Sequence, residues 1–153
     1  MTIPCSRPLF IEPFDLYLFG MGRHRHLYRI LGAHPAVQDG EAGYRFAEWA
    51  PNARSVHRQA ATIMGLLPQE DALNEMDRHH GHRRVFNPES FRAAFSQAGL
   101  RVDVFGGYWL KPVSNGQIES HWTPAMIEAF MQMGERYPDI AGEIYVVASL
   151  PPV

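Results

Sequence analysis

Gly43-Tyr44-Arg45-Phe46-Ala47-Glu48-Trp49 runs into Ala50-Pro51-Asn52. Tyr44, Phe46 and Glu48 alternate with Gly43, Arg45, Ala47 and Trp49, and aromatic-rich alternation marks a strand. Pro51-Asn52 stops it. Near the other end, residues 143–150 (EIYVVASL) form a nearly continuous apolar, β-branched run. That is the pattern of a strand covered on both faces. The two strands are expected to lie side by side in a small mixed sheet of three or four strands.

Outward from these strands, the helical period predicts what covers the sheet. Val56, Ala60, Ile63, Met64 and Leu67 fall on one helical face, and Pro68 closes that helix. Residues 71–80 read as a charged helix or loop. Asn87 caps a helix with Pro88 at its first position, then Phe91, Ala94, Phe95 and Ala98 on one face, and Gly99 past the end. Residues 100–105 alternate as a strand that Gly106-Gly107 interrupts, and 108–113 resume extended. Thr123 caps a further helix through residue 137. Helices over 56–67, 88–98 and 124–137 are expected to cover the sheet as one α/β sandwich. Before the first strand, Pro4, Pro8 and Pro13 predict a packed arm over residues 1–19. A short helix is expected at 26–31.

Composition narrows the function classes. The chain has 153 residues, with 14 Lys and Arg against 16 Asp and Glu, a formal net charge of −2. That balance gives no bulk attraction to nucleic acid or anionic lipid. Cys5, the one cysteine, cannot form an internal disulfide, which fits a reducing compartment. Its proline-rich setting offers no helix to position it as a nucleophile. No apolar run approaches the roughly 20 residues a bilayer requires, and no signal peptide pattern opens the chain. These readings predict a cytoplasmic chain with no nucleic-acid or membrane partner. A homodimer through an exposed sheet edge or apolar surface is the expected self-association.

Two motifs imitate cofactor sites. Gly20-Met21-Gly22 resembles a dinucleotide-binding turn, but the third glycine would fall at Arg25, whose side chain obstructs the close packing needed there. His24, His26, His79, His80 and His82 suggest a metal, yet no cysteine or HExxH frame accompanies them. Structural or substrate-contacting histidines are the favoured reading, with no metal. The densest polar cluster is His79-His80-Gly81-His82-Arg83-Arg84, on a loop, where binding residues concentrate. Its arginines suit an anionic or carboxylate substrate; the plainer reading is a solvated cationic loop. Trp49, Trp109 and Trp122 are candidates to stack on sugars or to fill the core.

Residues 16–54, LYLFGMGRHRHLYRILGAHPAVQDGEAGYRFAEWAPNAR, resemble the N-terminal carbohydrate-binding module of bacterial glycogen (1,4-alpha-glucan) branching enzymes. The motifs are the YLFG…LGAHP run and GYRFAEWAPNA. The resemblance implies the opening strands of a β-sandwich, with tryptophan stacking on glucose and a glycan as partner. The match stops at Arg54, and the catalytic barrel that follows in that family is missing.

Residues 51–148 are similar instead to the C-terminal part of class I S-adenosylmethionine-dependent methyltransferases. The segments are PNARSVHR, LNEMDRHHGHRRVF, FGGYWLKPVSNGQIES and EIYVVA. This resemblance implies an α/β fold, a truncated Rossmann-like C-terminal half, preceded by the partial β-sandwich-like segment. It implies acceptor-side residues His57, Arg58, His82, Arg83, Arg84, Lys111 and Asn115. The histidines would accept a proton, and the arginines and Lys111 would hold an anionic acceptor. S-adenosylmethionine is the parent family's cofactor. The half that binds it is missing, so the chain alone is expected neither to bind it tightly nor to turn over. Pro51-Asn52-Ala53-Arg54-Ser55 satisfies both patterns, so the chain reads as a hybrid of segments 1–50 and 51–153. A methyltransferase-related domain is the leading expectation. A glycan-binding fragment of a branching enzyme and a non-catalytic structural fragment are the alternatives.

Overall fold

The computed structural model describes residues 23–38, 40–119 and 121–150, with Asp15 and Leu18; the side chains of Gln38, Glu41, Asn115 and Glu119 are outside that description. All of the proline-rich arm except Asp15 and Leu18, with Cys5 and the Gly20-Met21-Gly22 turn, lies outside the described residues.

Four strands form one sheet: β1 (Gly32–Gln38), β2 (Glu41–Pro51), β3 (Arg101–Tyr108) and β4 (Glu143–Ser149), in the order β1-β2-β4-β3. The aromatic stretch does pair with the C-terminal run, with Trp49 opposite Tyr145 and Ala47 opposite Val147. Flanked by β2 and β3, β4 is covered on both faces; Ile144, Val146 and Ala148 are fully buried and Val147 nearly so. The sheet is not mixed as expected. Every neighbouring pair is antiparallel. Strands β1 and β2 make a hairpin that presents β2 antiparallel to β4, and β3 returns on the other side. A Rossmann-like half is not shown by this sheet, and the described residues hold one sheet, with no second sheet facing it as a β-sandwich requires.

The glycine pair also departs from expectation. β3 runs straight through Gly106 and Gly107, and neither position has room for a side chain. A Cβ on Gly106 would enter the Tyr145 ring, and one on Gly107 would meet Pro138 and Ala141. The irregularity lies earlier, as a register shift between Val102 and Val104. β3 ends where Trp109 adopts φ +56°, a turn of backbone that carries the chain out of the sheet.

Five helices complete the described chain: α1 (Val56–Ile63), α2 (Glu75–His79), α3 (Pro88–Gln97), α4 (Asn115–Glu119) and α5 (Pro124–Arg136). The expected caps hold. Asn87 and Ser90 form a reciprocal capping box with Pro88 in the first turn, and Thr123 accepts from the Met126 N–H. The candidate helix at 26–31 is a short 3-10 turn, Leu27–Arg29. α3 covers one face of the sheet, where Phe91 packs with Ala50, Ile144, Val146 and Ala148. α4 and α5 cover the other, where Ile118 and Met131 join Tyr108 and Trp109. Burial of each large side chain contributes about 2 kcal/mol.

α1 does not cover the sheet. It stops at Ile63, before Pro68, and the chain reverses at Gly65. Of its expected apolar face, Ile63 and Met64 are exposed, as is Leu66 beyond it, whereas Arg58 is 3% exposed. Hydrogen bonds decide this orientation. The Arg58 guanidinium donates to the carbonyls of Glu70 and Ala72 and to the Asp77 carboxylate, fastening α1 to the segment that leads into α2.

Candidate functional site

The sequence-derived residues fall into two groups. The first gathers about the buried Arg58 and Lys111. His57, in the first turn of α1, lies close enough to Lys111 and Arg58 for their charges to act on it. Burial chiefly, then those two cations, lowers its pKa to about 4, so the ring is neutral at neutral pH. Its Nδ1 is buried without a hydrogen-bond partner. Lys111 is 8% exposed and donates to Glu143 Oε1 at 2.9 Å, with its ammonium 5.2 Å from the centre of the Trp109 ring. The Lys111 stem passes over Gly142, where a Cβ would strike it. Asn115 opens α4; its side chain lies outside the description.

Arg58 joins this group to the second through Asp77. Burial raises the Asp77 pKa, but the Asn74 N–H, the Arg58 guanidinium and His82 outweigh it and hold the carboxyl below its ordinary value. Asp77 accepts from Arg58 Nη1 at 3.1 Å and from the Asn74 N–H at 3.0 Å, and His82 Nδ1 lies 3.4 Å away. Arg58 is thus engaged by internal partners, not presented to a ligand.

The second group is at the surface. β2 outruns β1: the pairing with β1 ends at Ala47, which leaves residues 48–51 open on that side. Residues 82–86 come in beside them, with the Ala53 N–H donating to the Phe86 carbonyl at 2.8 Å and Asn52 bridging to Phe86. Between lies an open cleft of about 360 Å³, lined by Trp49, Ala50, Pro51, His82, Arg83, Arg84 and Phe86. The loop is tied at both ends. Gly81, at φ +79°, lets α2 end with its own N–H on the Arg78 carbonyl and that of His82 on the Asp77 carbonyl. Arg84 stacks over the Phe86 ring, 4.4 Å from its centre.

The cleft has no local sequence signal: Trp49 and the loop are far apart in the chain, and the bridge from Asn52 and Ala53 to Phe86 brings them together. Trp109 and Trp122, in contrast, belong to the core. His79, His80 and His82 stand ring beside ring, yet among the described residues no three His, Cys, Asp or Glu side chains gather in a metal-holding group.

The N-terminal region of the chain is similar to branching enzymes. It is 98% identical over 57 residues to the 1,4-alpha-glucan branching enzyme GlgB of Nitratidesulfovibrio vulgaris, a match covering 37% of this chain and 9% of that protein. The GlgB proteins of Oleidesulfovibrio alaskensis and Methylococcus capsulatus are 64% identical over 55 residues and 55% over 53. These matches cover 36% and 35% of the chain, and 8% and 7% of the respective relatives. The chain thus spans less than a tenth of the length of these relatives. No family model matches it. The methyltransferase resemblance of residues 51–148 gains no support from these comparisons. Among the described residues, no helix is long and apolar enough to cross a membrane.

Proposed function

We propose that the chain is a glycan-binding fragment, taking a 1,4-alpha-glucan in the cleft between β2 and residues 82–86. The observation that carries this reading is the 98% identity of the N-terminal region to a protein named as a 1,4-alpha-glucan branching enzyme. The geometry supports it through Trp49. The indole is half-buried and lines an open groove, and an aromatic face offers apolar contact to the C–H face of a sugar ring. His82 and the arginines beside it supply hydrogen-bonding groups for hydroxyls at the groove wall. The reading is of binding, not turnover. Methyl transfer rests on the resemblance of residues 51–148 alone, and no feature of the sheet favours it.

Chromatography of the purified chain on amylose resin tests the proposal. Retention that maltose reverses, and that Trp49→Ala abolishes while the melt of the variant stays cooperative, is the expected result. Passage of the folded wild-type chain without delay overturns it.

A further inference from the structure

Resting on the glycan reading, the cleft carries a second message in its charge. His82, Arg83 and Arg84 are consecutive and all line it, and no carboxylate does. Elsewhere four cations are spent on internal ion pairs: Arg54 with Glu89, Arg58 with Asp77, Arg101 with Asp103 and Lys111 with Glu143. Arg83 and Arg84 are exposed, and neither forms an ion pair among the described residues. Guanidinium groups donate hydrogen bonds and accept none, so this wall matches a ligand rich in acceptors better than a neutral hydroxyl face. The loop that carries them is held in place before any ligand arrives, by the Gly81 turn at one end and the Ala53–Phe86 hydrogen bond at the other. Stacking on Phe86 further restrains Arg84.

We propose that the cleft prefers an anionic glycan, one bearing a phosphate monoester, with the sugar against Trp49 and the phosphate on Arg83 and Arg84. Isothermal titration of the full chain tests this with maltoheptaose, phosphorylated maltoheptaose, inorganic phosphate and a short oligothymidylate. The phosphorylated glucan is expected to bind about tenfold tighter than the neutral one at low salt, the worth of one charge-assisted pair. The preference should shrink as salt is raised. It should fall close to unity in the Arg83→Gln/Arg84→Gln double variant, whose exposed positions leave folding intact. Equal binding of the two glucans overturns the charge preference and leaves the glycan reading standing. A preference that survives in the double variant overturns the assignment to these arginines. Phosphate or oligothymidylate binding as tightly as the phosphorylated glucan removes the sugar from the proposal. Binding of neither glucan removes the glycan reading itself.

Discussion

His57 is held neutral by its surroundings, and that has a signed consequence for stability. Its folded pKa of about 4 lies below the ordinary 6.5, so the unfolded chain binds the proton more readily. The stabilisation is complete above pH 6.5 and is lost as pH falls from 6.5 toward 4, at up to about 1.4 kcal/mol per pH unit. Urea melts at pH 7, 5.5 and 4.5 should show this slope, and His57→Gln should flatten it by close to one proton; an unchanged slope contradicts the assignment. Arg58 gives a larger effect. Replacing it with Leu leaves Asp77 nearly buried without its cation, and leaves two carbonyls without their donor, a loss of about 3–5 kcal/mol. A urea midpoint within error of wild type would show that the guanidinium does not anchor α1. The burial of Arg58 is illegible in sequence, because Val56, Ala60, Ile63 and Met64 advertise the opposite face and nothing local announces the partners at 70, 72 and 77.

At the scale of elements, the strongest local signals are the ones the structure keeps. Asn87-Pro88 and Thr123-Pro124 start helices because a side-chain acceptor and a proline at the first turn satisfy local needs that no distant contact overrides. Alternation finds β2, and the continuous β-branched run finds β4. Strand β1 stays hidden, since Gly32-Ala33-His34-Pro35-Ala36 has no alternation and its strand form comes from pairing with β2. The cleft is hidden for the same reason: its two walls meet only through tertiary contact. Close approach is equally silent in sequence. Gly134 of α5 lies against the main chain of Tyr108 and Trp109, where the Leu110 N–H donates to the Phe130 carbonyl at 2.8 Å. Backbone cannot yield as a side-chain tip can, so Gly134→Ala should cost about 2–3 kcal/mol despite its better helix propensity. A thermal melt at or above the wild-type temperature would refute the contact.

For the molecule as a whole, the two segments that sequence assigns to different families contribute adjacent strands, β2 and β4, and that pairing completes the sheet. A chain beginning at residue 56 lacks β1 and β2, exposes one edge of β4 and uncovers the apolar face beneath α3. It should show no cooperative melt under conditions where the full chain does; a sharp transition would mean that the C-terminal segment folds alone. The glycan reading rests on the same pairing, because it sets Trp49 at the open end of β2 beside the 82–86 loop. The most direct test is a two-dimensional amide and indole NMR titration of the full chain with maltoheptaose. The account predicts saturable shifts at the Trp49 indole and in the amides of residues 48–51 and 82–86, with the remaining amides of the sheet unmoved. Shifts confined to other surfaces, or none at millimolar sugar, would contradict it.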